Sequence, residues 1–205
     1  MRKRSVMWKS LSLLVLGALL VGCATAPLTP SEQNFKTPVV RLNSVEVAHY
    51  WGWWYFAKTI EPTKGQAGDY GAPLDVAFIF DIENPNPYPV MMEYLKFTVA
   101  FEEFDLNTVF SVEPQWIPAG KTNQLRVHAM FDGRQSLLSL LVTGGFKLQE
   151  KGMGTGAGAA LTQLGLWWEG IPEFSLPVYV KEGSAVFNAG DLMTVTSFSG
   201  EFPLE

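Results

Sequence analysis

The chain has 205 residues, 47% hydrophobic and 17% charged, with 15 basic and 20 acidic side chains, two histidines and one cysteine. That length and apolar content suit one domain with a sizeable core. The acidic excess argues against nucleic acid as a partner and against attraction to anionic lipid headgroups. A single cysteine rules out a disulfide within the chain.

The N-terminus opens with the basic "MRKRSVMWKS" and the short apolar run "LSLLVLGALLVG", the pattern of a secretory signal. Leu20-Val21-Gly22-Cys23 resembles the bacterial lipobox, which implies cleavage after residue 22 and lipidation of Cys23. A plain signal peptide or a signal anchor would instead leave that cysteine incidental. Two or three acyl chains anchor stably where one binds only marginally. Ala24, in place of aspartate, resembles the sorting pattern of Gram-negative lipoproteins bound for the outer membrane, facing the periplasm. Arg2, Lys3, Arg4 and Lys9 all fall in the leader, so the remainder carries 11 basic against 20 acidic residues, a net charge of −9. Residues 1–22 therefore read as a signal peptide and 23–34 as the lipidated cysteine with a tether rich in Ala, Thr, Pro and Ser. Residues 35–205 read as the domain.

The domain begins with "VVRLNSVEV", a strand, followed by an aromatic hairpin over 49–60 and a Gly-rich loop. "LDVAFIFDIEN" alternates with period two: Val76, Phe78, Phe80 and Ile82 share one face, and Asp75, Ala77, Ile79, Asp81 and Glu83 the other. "YLKFTVAFEEF" repeats the pattern through Leu95, Phe97, Val99 and Phe101, and "QLRVHAMFDG" through Leu125, Val127, Ala129 and Phe131. "TVFSVEPQWIPAGKT" supplies a shorter strand and a turn. "GRQSLLSLLVTGG" breaks the period, with leucines at helical spacing and a Gly-Gly stop. "FSLPVYV" and "SAVFNAG" around a Glu182-Gly183 turn, then "MTVTSFSGEF", return to strands. The expected fold class is mainly β: an antiparallel sandwich of about seven strands with one short helix.

Between the two clearest strands lies "NPNPYPV". The prolines lack an N–H and push the residues before them into extended or turn conformations, so this reads as a rigid corner between sandwich strands. Asn84, Pro85, Asn86, Tyr88, Pro89 and Val90, with an extra Pro87, resemble the turn motif of the WHy (water stress and hypersensitive response) domain of type-2 late-embryogenesis-abundant proteins. "FKTPVVRLNSVEV", "IPAGKTNQLRV" and the Leu-rich helix resemble that family in the same order, over roughly residues 35–146. The resemblance implies a fibronectin-III-like sandwich and a role in tolerating water loss, and supplies no catalytic residues. Two segments depart from it: "HYWGWWYFAKTIEPTKGQAGDYGAP", and a Gly-rich insertion over 150–172.

Candidate chemistry is sparse. His49 and His128 have no further ligands at metal spacing, and His128 falls on an outward strand position. Asp81 with Glu83 and Glu102 with Glu103 read as solvated carboxylates, and no base with an orienting partner is visible. "GMGTGA" matches the letters of a dinucleotide loop but lacks the preceding strand of a βαβ unit, and reads as a glycine hinge into a helix around Ala159–Leu166. Neither a cofactor nor a metal is expected. Trp51, Trp53 and Trp54 form one aromatic cluster and Trp167 and Trp168 another. They either pack together as a satellite core or present a lipid or partner surface. The expected function is that of a non-enzymatic, membrane-anchored stress-protection lipoprotein. Binding of lipid or another hydrophobic ligand through the tryptophans, and an envelope scaffold, are the alternatives.

Overall fold

The structure, a computed structural model, describes residues 29–56 and 71–203. Cys23, the leader, the first part of the tether and residues 57–60 of the aromatic segment lie outside the described residues. Eight strands run in chain order: β1 Val39–Tyr50, β2 Leu74–Glu83, β3 Val90–Phe101, β4 Phe104–Ser111, β5 Gln115–Ile117, β6 Thr122–Phe131, β7 Val178–Ala189 and β8 Leu192–Phe202. Three helices separate β6 from β7: α1 Gly133–Val142, α2 Gly145–Glu150 and α3 Ala157–Gly170. One sheet has the order β1-β2-β6 and the other β4-β3-β7-β8, with β5 also paired to β3, and every pairing is antiparallel. The fold is thus the expected mainly-β open sandwich.

The alternation read from the sequence decides what lies between the sheets. Phe78, Phe80 and Ile82 on β2 face Leu95, Phe97 and Phe101 on β3, all essentially without solvent exposure. The Phe97 ring meets Phe78 and Phe80 edge-on, at centroid separations of 5.2 and 5.1 Å. Each such ring stabilises the fold by about 1.5–3 kcal/mol through burial. On the reverse face of β2, Ala77 and Ile79 are also buried. Glu46 stands opposite Ala77 and Arg126 opposite Ile79, and their salt bridge of 2.6 Å arches over the central strand.

Two expectations need correction. Among the described residues two further helices follow the Leu-rich one, because Gly144–Gly145 ends α1 but lets α2 start at once, and the glycines after α2 lead into α3. Glu182-Gly183 is not a turn between strands but a bulge inside continuous β7. Glu182 takes φ 51°, and the register on β8 jumps from Val180↔Gly200 to Gly183↔Phe198. A Cβ at Gly183 would fall 2.5 Å from the Phe198 ring, so only glycine permits this approach.

The strand ends fall into two groups. Val39, Glu83, Val90, Thr122 and the β7–β8 hairpin lie at one end; Tyr50, Leu74, the β3–β4 hairpin, Phe131 and Val178 lie at the other. The first end is closed by the "NPNPYP" corner. Asn84 and Asn86 have no solvent exposure, yet every polar atom of their side chains is bonded. Asn84 Nδ2 donates to the carbonyls of Tyr88 (2.8 Å), Ile117 (3.0 Å) and Pro118 (3.2 Å). Its Oδ1 accepts from the backbone N–H and Nδ2 of Asn86, both at 3.0 Å. The Asn86 amide pairs with the backbone N–H and carbonyl of Lys36, each at 2.7 Å, as a neighbouring strand would. The Tyr88 hydroxyl donates to Asn34 Oδ1 at 2.8 Å.

Removing the Asn84 side chain would strand buried carbonyls and the Asn86 amide together, at about 1–3 kcal/mol for each unpaired group. Asn84→Ala is expected to lower stability by roughly 3 kcal/mol in urea unfolding. Asn43→Ala, which removes one exposed bond to Asp81 (2.8 Å), is expected to cost under about 0.5 kcal/mol. Equal losses would mean that the corner is not what closes this end.

Candidate functional site

The other end of the sandwich is open between the sheets and is covered by the three helices. Asp132 caps α1, its Oδ1 accepting from the N–H groups of Arg134 (2.9 Å) and Gln135 (3.4 Å). Gly152, Gly154 and Gly156, with φ of 75°, 84° and 85°, turn the chain from α2 into α3. That helix is longer than the stretch expected around Ala159–Leu166, and the glycines serve as its connection. Along α3, Ala160, Gln163, Leu164, Trp167 and Trp168 are buried, followed by Ile171. This spacing lays one face of the helix on the open end.

Both tryptophans of α3 are therefore core residues, 1% and 0% exposed for Trp167 and Trp168. The Trp167 ring stands edge-on to Phe104 at 5.3 Å and to Phe101 at 5.8 Å. The Trp168 Nε1 donates to the Ala72 carbonyl at 2.7 Å, and the Tyr50 hydroxyl donates to the Trp168 carbonyl at 2.6 Å. Of the two options open to this pair, a lipid- or partner-facing surface is excluded by burial.

The first cluster is arranged differently from an extended run. The chain leaves β1 at Tyr50 and makes a 3-10 turn over Trp53–Tyr55, so its side chains do not alternate between two faces. Trp53, half-buried, stacks on Phe56 at 4.5 Å, and its ring lies 6.5 Å from that of Trp168. A Cβ at Gly165 of α3 would sit 3.0 Å from the Trp53 Nε1, so that glycine lets the turn approach the helix. Trp51 packs on Tyr55 at 4.3 Å and donates to His49 Nε2 at 2.5 Å. Trp54 alone of the five is exposed, at 82%. With Trp53, Phe56, Leu161 and Thr162 it lines an apolar groove of about 610 Å³.

A polar hub lies across the helical layer from this groove. Glu102, at the β3–β4 hairpin with φ 52°, accepts through Oε2 from Gln163 Nε2, Trp167 Nε1 and Lys151 Nζ, each at 3.1 Å. Lys151 also pairs with Glu103 at 3.3 Å. Burial pushes the Lys151 ammonium down, and the hydrogen bonds and charges of Glu102 and Glu103 lift it to a net position above its ordinary value. Glu102 was expected to be a solvated carboxylate. It instead straps α3 and the α2–α3 loop to the hairpin, and nothing local in "FEEF" signals the three donors that fold back onto it.

On the outer face of the three-stranded sheet, His128 is outward as expected, its Nδ1 2.9 Å from Asp75 Oδ2. Arg126 Nε donates to its Nε2 at 3.4 Å. The imidazole is held between these two side chains. Among the described residues, no group of three or more His, Cys, Asp or Glu side chains could hold a metal ion. The motif residues Pro85, Pro89 and Val90 stand with Asn84, Asn86 and Tyr88 at the opposite end.

No protein-family model and no curated protein matches the chain. Among solved structures, it is similar to a protein from Archaeoglobus fulgidus with 11% identity and a TM-score of 0.39, over 78% of this chain and 94% of that one. It is also similar to a Bordetella pertussis protein given the name ApaA, with 9% identity and a TM-score of 0.39, over 86% of this chain and 94% of that one.

Tyr50 and Lys151 give the helical end a pH dependence. Burial, then the nearby Glu169 charge, raise the Tyr50 phenol above 10.0, while a backbone hydrogen bond at Trp53 opposes them. The Lys151 ammonium is raised above 10.5. In both cases the folded chain holds its proton after the unfolded chain has lost it, so stability is fully present below pH 10.0 and falls as pH rises through the folded values. Tyr50→Phe combined with Lys151→Met is expected to flatten the alkaline limb of a plot of urea midpoint against pH. An unchanged limb would place the titration elsewhere.

Proposed function

We propose that the chain is a non-enzymatic, membrane-anchored envelope lipoprotein of the WHy kind, protecting neighbouring molecules against water loss. The observation that carries this reading is the outer face of the β1-β2-β6 sheet. There Arg41 pairs with Glu83 at 2.8 Å, Glu46 with Arg126 at 2.6 Å and Asp75 with His128 at 2.9 Å. Asp81 accepts from Asn43 at 2.8 Å and from Gln124 at 3.1 Å. Exposed ion pairs stabilise a fold by only about 0–1 kcal/mol each. This ordered polar lattice therefore serves the solvent side more than the core, and it holds water against a net acidic domain. The buried corner supports the family part of the reading, since it accounts for each asparagine of the motif.

The groove beside Trp54 favours a second reading, a binding module for an apolar ligand. Among the described residues its walls are aromatic and aliphatic, with Thr162 the polar one.

The test of the first reading is a drying assay. A labile enzyme dried with the domain is expected to retain more activity than with an equal mass of an inert acidic protein. Glu46→Gln, Asp81→Asn and Glu83→Gln together are expected to remove that advantage. Equal retention with the inert protein would sink the reading. The second reading predicts a saturable blue shift of emission on adding fatty acid, lost in Trp54→Phe.

A further inference from the structure

The outer face of the second sheet is not polar throughout. Strand register sets Trp116 opposite Met91, Met91 opposite Asn188, and Asn188 opposite Met193. The next rung sets Tyr94 opposite Val186 and Val186 opposite Val195, and the Phe110 ring lies 5.2 Å from that of Tyr94. Trp116, Phe110, Met193 and Val195 are 61%, 55%, 69% and 57% exposed. Single exposed apolar side chains are ordinary, whereas a contiguous set across a whole sheet marks an interaction surface. One rung further toward the helical end, the same face turns polar. Lys96 stands opposite Ser184, Thr98 bonds Thr108 at 3.1 Å, and Lys181 pairs with Asp105 at 2.9 Å. The apolar platform is confined to the end closed by the asparagine corner.

That is also the end at which the chain enters the domain. Pro30 lies beside Gly190 in the β7–β8 hairpin, where an added Cβ would sit 4.0 Å from the proline ring, a few residues from Met193. Asn34 fixes this entry by donating to the Thr29 carbonyl at 3.0 Å and accepting from Tyr88 at 2.8 Å. Five residues separate Cys23 from Thr29, so the two lie at most about 22 Å apart. The groove at Trp54 is a full β1 length away, about 36 Å at ~3.3 Å per residue.

We infer that this platform rests on the surface of the bilayer to which the chain is tied, with the helical end held away from it. The inference rests on the proposed anchor at Cys23. Indole and phenol rings favour the headgroup region, and methionine adapts to an irregular surface. On the platform Glu93 is bonded by Asn188 at 3.0 Å, and Lys96 stands opposite Phe110 at its border, so the face carries no cluster of bases and suits neutral headgroups. Tethering raises the local concentration of the surface, so a patch too weak to bind lipid unaided still engages it. The anchored domain then turns one face of the second sheet to the membrane and its charged first sheet and apolar groove to solvent.

The test places the full acylated chain on phosphatidylcholine vesicles with brominated acyl chains, which quench indoles at the interface. Quenching is expected, with most of it lost in Trp116→Phe and none lost in Trp54→Phe. Val195→Glu, which leaves all tryptophans in place, is expected to weaken it as well. An anchored chain that is not quenched, or one whose quenching follows Trp54, would overturn the inference. So would protection of Trp116 by self-association, seen as a dimer in ultracentrifugation that Val195→Glu abolishes. A Cys23→Ser chain held by an N-terminal hexahistidine tag on nickel-chelating lipid separates the two readings. If the wild-type chain, expressed with its leader, fails to float with vesicles while the tagged Cys23→Ser chain is quenched through Trp116, the anchor falls and the platform stands. If the tagged one is not quenched, the platform falls.

Discussion

Two asparagine side chains without solvent exposure tie together three segments that are distant in sequence: the entering chain at Lys36, the corner after β2, and the turn from Ile117 to Lys121 that leads into β6. A buried amide is costly unless each donor and acceptor is met. Here each is met, by backbone groups at the close of their strands and by the other asparagine. The Asn86 amide stands in for a strand that the sheet lacks at Lys36. The prolines around it hold the crossing between sheets in the one path that presents these amides inward. Register of β2, β3 and β6 at this end follows from that knot.

The opposite end poses a different problem. The phenylalanines between the sheets continue to Phe101, Phe104 and Phe131, which an open sandwich would leave to water. The helices between β6 and β7 solve it by laying Leu164, Trp167 and Trp168 over them. The indole N–H groups need acceptors once buried. Glu102 and the Ala72 carbonyl supply them, so the cap is fastened by hydrogen bonds as well as by area. The insertion that departs from the family resemblance is therefore part of the core, and the aromatic segment after β1 is its partner.

With both ends closed, the two outer faces carry the differences that bear on function. The first sheet presents paired charges along its length, and the second is apolar near the entering chain and polar beyond. On the proposed anchoring, these faces give the domain a preferred orientation, with hydrated and membrane-facing surfaces on opposite sides of one core. The groove at Trp54 lies at the strand end away from the entering chain.

The sandwich itself was legible in the residues, because period-two alternation through Val76–Ile82, Leu95–Phe101 and Leu125–Phe131 marks the face that packs between the sheets. The corner was legible for the same local reason, since proline acts on its own neighbours. Other features depend on which strand lies beside which. The Glu182-Gly183 bulge looks like a turn until β3 and β8 are seen to pair past it on both sides. Glu102 looks solvated until α3 and Lys151 fold back onto it. Trp167 and Trp168 are one amphipathic reading in sequence, and their burial was decided by the open end that the helix covers. Trp116, Met91, Tyr94, Phe110, Met193 and Val195 lie in four separate strands, so only register could gather them. Alternation and proline are properties of a residue and its neighbours, and the sequence carries them. A bulge, a hub or a platform is a property of segments far apart in the chain, and tertiary pairing alone creates it.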